Sequence, residues 1–462
     1  MSEASFAPRN ETLELRATIP NAETSGVTAS TRVHRPSGRE LPQLAGSATT
    51  EEPFALVMQL REKTTLEVVL RLAADHSPRV RAAAQRWQAA THKRAQAVTL
   101  PDPKVEASYF IRQVDDRWML SLSQEIPYPG KLLLGGRIAD ADAQTAHIRY
   151  QAAIRDALAE AKEMYFELYY IDRAQHITAA IKSLYERYAA LAAGGKEVGK
   201  TKLPETFRAE SQRAQLGYDL LLLQEMRATE AQRLRAIMGM QGENDLGPTE
   251  DVAMPLPLGT SLQTLAAVAE QHNQELLAAG VEIERAGYQT RLARQAPIPD
   301  LMVGVSYTDM LEVPSSKNPL SVNIGVSIPL WFGKYRAMEK EARAMAEAMQ
   351  SEQVATQLQV RSDLGRAYFR LKNAGRLVQL YNDTLVPQAR QALQSVEELY
   401  RKGDATLAAI LELTATVHNF ELARLRATAD YYQNVARIER VLGMALTLTP
   451  AAPRPTAAED TP

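Results

Sequence analysis

Leu320-Ser321-Val322-Asn323-Ile324-Gly325-Val326-Ser327-Ile328 sets an aliphatic side chain at every even position and a small or polar one at every odd position. Successive side chains of a strand point to opposite faces. The stretch therefore reads as a strand with Leu320, Val322, Ile324, Val326 and Ile328 on one face and Ser321, Asn323, Gly325 and Ser327 on the other. The same period occurs three more times. Val303, Val305 and Tyr307 alternate with Met302, Gly304 and Ser306; Trp118, Leu120 and Leu122 with Met119, Ser121 and Ser123; Val105, Ala107 and Tyr109 with Glu106 and Ser108. These four strands fall into two hairpins.

Outside them the chain is helical in pattern. Four long Ala/Leu/Glu/Arg/Gln-rich stretches, roughly 132–193, 204–240, 335–402 and 405–446, read as helices, with shorter ones near 65–97 and 261–295. A helix of sixty residues is roughly 90 Å long at ~1.5 Å per residue, more than a compact domain needs. From Leu364 an apolar seam steps by 4 and 3 through Tyr368, Leu371, Gly375, Val378, Asn382, Leu385, Ala389, Ala392, Val396 and Leu399. After Gly403 it resumes through Ile410, Leu413, Val417, Phe420, Arg424, Ala427, Tyr431, Asn434, Ile438 and Val441. A 3.5-residue period on two adjoining helices predicts an antiparallel coiled-coil hairpin, kinked but not ended by Pro387. Residues 1–60 and the tail 447–462 carry no such period and read as disordered or extended.

The pattern is internally repeated. Pro101-Asp102 returns as Pro299-Asp300 and Ser108-Tyr109 as Ser306-Tyr307, both 198 residues on; Pro127 returns as Pro329 after 202, Gly130 as Gly333 after 203, and Gly199 as Gly403 after 204. A small, one-directional drift is what a tandem duplication with a few insertions leaves behind. The expected domains are thus 64–255 and 258–446, each read as helix, hairpin, long helix, turn, long helix.

Composition removes several function classes. Among 462 residues, Lys+Arg 53 nearly balances Asp+Glu 55, so charge supplies no case for a nucleic-acid partner. Cys is absent, which excludes disulfides, thiolate zinc sites, thiol catalysis and a lipidated cysteine. No run of ~18 apolar residues predicts a membrane-crossing helix, and Met1-Ser2-Glu3-Ala4 does not begin a recognisable signal peptide. Gly194-Gly195-Lys196-Glu197-Val198-Gly199-Lys200-Thr201 fits the phosphate-loop pattern, but a phosphate loop follows a strand, and Ile181 to Tyr188 reads as helix; a Gly-rich helical turn is the better reading. The seven His residues show no i,i+3 or i,i+4 pairing, and no local motif assembles a nucleophile, base and acid, so no enzyme, metal site or cofactor is expected.

An open four-stranded sheet leaves backbone groups unpaired at its edges, and lipid-exposed barrels begin at about eight strands. If the apolar face meets lipid, other copies must complete the sheet, and three copies would supply twelve strands around a lumen lined by the Ser/Gly/Asn face. Tyr109, Trp118, Tyr307, Trp331 and Phe332 would then suit the interfacial girdles. A soluble sheet with one buried face has the same alternation, so a coiled-coil scaffold stays open on this evidence.

Three motif groups carry a family resemblance: Pro101-Asp102-Pro103 and Pro297-Ile298-Pro299-Asp300 before the hairpins; Gln124-Glu125-Ile126-Pro127-Tyr128-Pro129-Gly130-Lys131-Leu132 and Ser327-Ile328-Pro329-Leu330-Trp331-Phe332-Gly333 after them; and Tyr400-Arg401-Lys402-Gly403-Asp404-Ala405-Thr406 at a helical turn. Over about residues 64–446 the chain resembles the TolC-type outer-membrane efflux factors. The resemblance implies a mainly α protein with a membrane β-barrel portion, assembled as a homotrimer with a twelve-stranded barrel and an α-helical tunnel in the periplasm. It implies a passive outer-membrane conduit for metal ions or small toxic compounds, served by a periplasmic adaptor and an inner-membrane transporter of the resistance-nodulation-division type. The prolyl Gly-Lys corner resembles channels paired with heavy-metal exporters; a duct for type I protein secretion is the alternative within transport. By the same resemblance the adaptor docks at Gly199, Lys200, Thr201, Gly403, Asp404 and Ala405, and Glu205, Asp404 and Glu412 form an acidic gate.

Overall fold

The computed structural model describes residues 14–15, 51–111, 116–197, 203–240, 245–255, 259–310, 314–317, 319–446 and 448–449. In order these form β1 (Glu14–Leu15), α1 (Glu51–Glu62), α2 (Leu66–His76), α3 (Pro78–Val98), β2 (Lys104–Tyr109), β3 (Asp116–Ile126), α4 (Pro129–Glu197) and α5 (Leu203–Ile237). Then come α6 (Leu262–His272), α7 (Gln274–Gln295), β4 (Leu301–Met310), β5 (Leu320–Val326), α8 (Phe332–Leu380), α9 (Val386–Lys402), α10 (Leu407–Leu442) and β6 (Leu448–Thr449). The chain divides into two compact units, one of residues 1–80, 154–269 and 361–462, the other of 81–153 and 270–360.

The second unit carries the sheet, in the order β2-β3-β4-β5 with every neighbour antiparallel. Both hairpins have the predicted strands, and the β3–β4 pairing joins them. Pro at the corners has a physical cause: Pro129 opens α4, where its missing N–H would be unpaired in any case. β5 ends at Val326 and not at Ile328; Ser327 N–H turns to the Asp300 carbonyl at 3.0 Å and Pro329 cannot extend a ladder. Ala141 and Ile148 of α4 pack on Ala278 and Val281 of α7 in one buried cluster.

In the first unit, Leu60, Val69, Leu72, Tyr165, Leu168 and Leu234 share one buried core. Helix α1 is a departure from the extended segment read over residues 1–60, and its cause is tertiary. Leu60 is fully buried, its carbonyl accepts from Gly247 N–H at 2.8 Å, and Thr64 bonds the Pro248 carbonyl through N–H (3.0 Å) and the Gly247 carbonyl through Oγ1 (2.9 Å). Asp172 holds the same crossing segment, accepting from Arg227 Nε (2.6 Å) and Thr249 N–H (2.8 Å).

Helices α9 and α10 pair as a hairpin, with a different seam from the one the period suggested. The buried positions are Leu364, Ala367, Leu371, Ala374 and Val378, then Val386 and Ala389, with Leu393, Val396 and Tyr400 packed beyond. From Val378 to Val386 the seam steps by eight residues where a heptad would give seven. The extra residue sits in a π-helical turn, Tyr381–Leu385, where Val386 N–H reaches back five residues to the Tyr381 carbonyl. Pro387 explains it: its ring would collide with the carbonyl four residues back, and widening the turn relieves the clash. Nor is α10 a simple two-helix strand of coiled coil. It is buried around most of its circumference and also lies antiparallel to α4, with Arg426 bonded to Glu167 (2.7 Å) and Arg437 to Glu163 (3.0 Å) at the rim.

Candidate functional site

The register of the sheet sorts its side chains into two faces. Val105–Leu122–Val305–Val322 line up across all four strands, as do Ala107–Leu120–Tyr307–Leu320, with Val303–Ile324 and Leu301–Val326 beside them. Ser121–Ser306, Ser123–Gly304, Ser306–Ser321 and Gly304–Asn323 form the opposite face. A soluble sheet would bury the aliphatic rows. Here Val322 is 68% and Ile324 73% exposed, and Leu320, Val326 and Ile328 are exposed with them. The polar face is the more covered: Ser306 is 8% exposed and its Oγ accepts from Asn323 Nδ2 at 3.0 Å. The arrangement is inverted for a water-soluble sheet and correct for one whose aliphatic face meets hydrocarbon.

Among the described residues the outer strands β2 and β5 each pair on one side only, so two ladders of N–H and C=O groups point outward. At the β3–α4 and α7–β4 corners an ion pair locks neighbouring connections. Lys131 Nζ donates to Asp300 Oδ1 (2.9 Å), Asp300 Oδ2 (2.8 Å) and the Ile298 carbonyl (2.8 Å), while Asp300 Oδ1 also accepts from Tyr128 N–H at 2.8 Å. Partial burial disfavours the Asp300 charge, but the Lys131 and Tyr128 hydrogen bonds outweigh it and hold the carboxyl below its usual range. Both residues belong to the corner motifs, but they stand 169 positions apart and no local pattern announces that they meet.

The described helical turn is a Schellman cap. Gly403 has φ 89° and ψ 5°, its N–H bonds the Tyr400 carbonyl and Asp404 N–H bonds the Leu399 carbonyl, each at 3.0 Å. A Cβ on Gly403 would meet nothing within 4 Å, so among the described residues the turn is open on that side. Asp404 is exposed, Ala405 half-buried, and Glu412 exposed on the second turn of α10. Glu205 is half-buried in the first turn of α5. Among the described residues no hydrogen bond or ion pair joins Glu205, Asp404 and Glu412. Gly199, Lys200 and Thr201, and with them the end of the phosphate-loop pattern, lie outside the described residues.

Behind the Gly403 turn, Tyr185, Tyr188, Leu216, Leu407 and Ile410 make a second core. Tyr185 donates to the Leu411 carbonyl (2.8 Å) and Tyr188 to Glu397 Oε1 (2.6 Å). Burial pushes the Tyr185 hydroxyl up to about 12; burial and then the Glu397 hydrogen bond push Tyr188 upward as well. Both are held as neutral donors, a positioning role and not acid–base work. Among the described residues no group of three or more His, Asp or Glu is placed to hold a metal ion, and no helix is long and apolar enough to cross a membrane.

Two-stranded hairpins with an exposed aliphatic face, set along the chain between long helices, are the arrangement expected of an outer-membrane channel. The sequence profile described as outer membrane efflux protein matches residues 69–240 and 265–444, and the chain belongs to that family. It is similar to the cobalt-zinc-cadmium resistance protein CzcC of Cupriavidus metallidurans, 21% identical over 389 residues that cover 82% of this chain and 90% of the relative. The outer membrane protein TolC of Vibrio cholerae is 23% identical over 382 residues, covering 78% and 86%. Among solved structures, the outer-membrane channel OprN superposes with a TM-score of 0.71 at 18% identity, covering 84% of this chain and 91% of that one. The chain is thus an outer-membrane efflux channel of mainly helical fold, which sets the soluble scaffold aside. Channels of this TolC-type family act in tripartite efflux with a periplasmic adaptor and an inner-membrane pump.

Proposed function

We propose that three copies of this chain close their sheets into one twelve-stranded barrel, continued by their helices as a tunnel, and that the assembly conducts metal ions or small toxic compounds outward. The observation that carries this reading is the four-stranded sheet with an unburied aliphatic face and two open edges. The outward backbone groups of β2 and β5 stay unpaired in a bilayer until these edges meet other edges. A tandem origin, with repeats at 64–255 and 258–446 between a leading segment of about sixty residues and a short tail, is supported by the recurring element order. It is also supported by left-handed glycines at matching helix ends, Gly239 (φ 69°) and Gly443 (φ 81°). Similarity to CzcC favours metal ions as cargo and a pump of the resistance-nodulation-division type as the driving partner.

The Gly403 turn, and Gly199 by its matching position, are the surface on which the adaptor docks, and three copies of Asp404, Glu412 and Glu205 give acidic rings that favour cations and resist full closure by mutual repulsion. Mass-resolved light scattering in mild detergent should give three chains per particle; a monomer or dimer refutes the assembly. In planar bilayers the same particle should prefer cations, and Asp404→Asn with Glu412→Gln should weaken that preference. An unchanged preference removes those two residues from the gate.

A further inference from the structure

The two hairpins obey one rule of register. Shifting β2 forward by 198 residues and β3 by 202 turns Val105↔Leu122 into Val303↔Ile324, Ala107↔Leu120 into Val305↔Val322, and Tyr109↔Trp118 into Tyr307↔Leu320, all three of which are pairs of β4 with β5. The corners obey a related rule. Lys131 N–H bonds the Tyr128 carbonyl at 2.8 Å, and Lys334 N–H bonds the Trp331 carbonyl at 3.0 Å, each reaching back three residues. Lys131 therefore has a counterpart in Lys334, and Asp300 has one in Asp102, since Pro101-Asp102 and Pro299-Asp300 stand before the first strand of each hairpin.

The counterparts differ in one respect. Lys131 and Asp300 flank the β3–β4 joint and are ion-paired. Asp102 stands before β2 and Lys334 follows β5, the two edges of the sheet. Both are exposed, and neither has an ion-pair partner among the described residues. Strands lie about 4.8 Å apart, so three spacings keep β2 and β5 of one chain roughly 14 Å from each other.

We propose that Lys334 of one copy and Asp102 of the neighbouring copy form, across the boundary between chains, the clamp that Lys131 and Asp300 form within a chain. The proposal rests on the multi-copy barrel above and adds its joint. Carrying the β3–β4 register through the same shifts sets β5 against β2 of the neighbour, with Val322 opposite Tyr109, Ile324 opposite Ala107 and Val326 opposite Val105. Every one of these pairs joins aliphatic face to aliphatic face. A slip by one residue would turn the neighbour's aliphatic face into the lumen, and the clamp would leave two charges unpaired where strands meet headgroups. The Lys334 ammonium would reach the Asp102 carboxylate and the Leu100 carbonyl, as Lys131 reaches Asp300 and the carbonyl of Ile298.

The chain has no cysteine, so paired cysteines report contact without background. In the full chain in lipid, Ile324→Cys with Ala107→Cys should oxidise to chain-to-chain adducts, because directly opposed strand residues lie within disulfide reach. Ile324→Cys with Val105→Cys, two residues out of register, should give little adduct. In a second arm, Lys334→Glu or Asp102→Lys alone should lower the temperature at which the detergent-solubilised trimer dissociates, and the two together should restore it. Trimers by light scattering whose adducts favour the shifted pair, or whose charge swap fails to restore the lost stability, overturn the clamp and leave the three-copy reading standing. A chain that runs as a monomer overturns both.

Discussion

The sheet and the helix α10 use the same kinds of side chain in opposite ways. Along α10, Ile410, Val417, Leu425, Ile438 and Leu442 are buried by the chain itself, and charges such as Arg426 and Arg437 sit at the rim paired to α4. Along β5, Leu320, Val322 and Ile324 are exposed, while Ser306 of the neighbouring strand is nearly covered. The helix takes its apolar surface out of water within its own chain, and the sheet does not. Burial within one chain is therefore the wrong test of where a hydrophobic residue belongs when the fold has two solvents.

That contrast breaks most sharply on truncation. Leu168→Ala, in a fully buried position between α4 and its neighbours, should destabilise the helical region by about 2–5 kcal/mol, read from denaturant-induced loss of helical circular dichroism in detergent. Leu320→Ala removes the same atoms from an exposed site and should leave that transition in place. Equal losses would mean that the sheet's aliphatic face packs on something within the chain. The next largest effect comes from charge. Val322→Arg or Ile324→Arg should cost about 2–4 kcal/mol in folding into lipid vesicles if the residue lies near the bilayer midplane. Ser321→Arg, on the face assigned to the lumen, should be tolerated. Comparable damage from both faces would remove the lipid assignment.

The strand pattern of β5 and the end of α9 are legible in the sequence because their signals are local. Alternation over Leu320 to Val326 needs only neighbouring residues to be read, and so does the Gly that ends a helix at Gly403. The strand end at Val326 was overrun because Ile328 keeps the alternation after the ladder has stopped. The α8–α9 seam runs through Ala367 and Ala374 where the period suggests Tyr368 and Gly375, and past Val378 it shifts by one residue to Val386 because the π turn before Pro387 inserts a residue that no apolar period announces. Helix α1 was missed because Leu60 and Thr64 are anchored by Gly247 and Pro248, far along the chain. The Lys131–Asp300 clamp was illegible for the same reason: both residues recur in the repeat, but only the strand pairing brings them together.

The smallest effect separates a cap from a docking surface. Gly403 holds φ 89°, a conformation that costs an L-residue roughly 1–2 kcal/mol. Since a Cβ there meets nothing within 4 Å, Gly403→Ala and Gly403→Leu should destabilise the turn by similar amounts. A turn that serves only as a helix cap then predicts equal function for the two variants. A turn on which an adaptor hairpin closes predicts a difference, because the leucine side chain fills space that the chain itself leaves open. In cells carrying the cognate pump, Gly403→Ala should keep most of the export and Gly403→Leu should abolish it, while both insert as trimers with matching thermal transitions. Matching export from two correctly assembled variants would leave Gly403 as a helix cap alone and move the docking surface elsewhere.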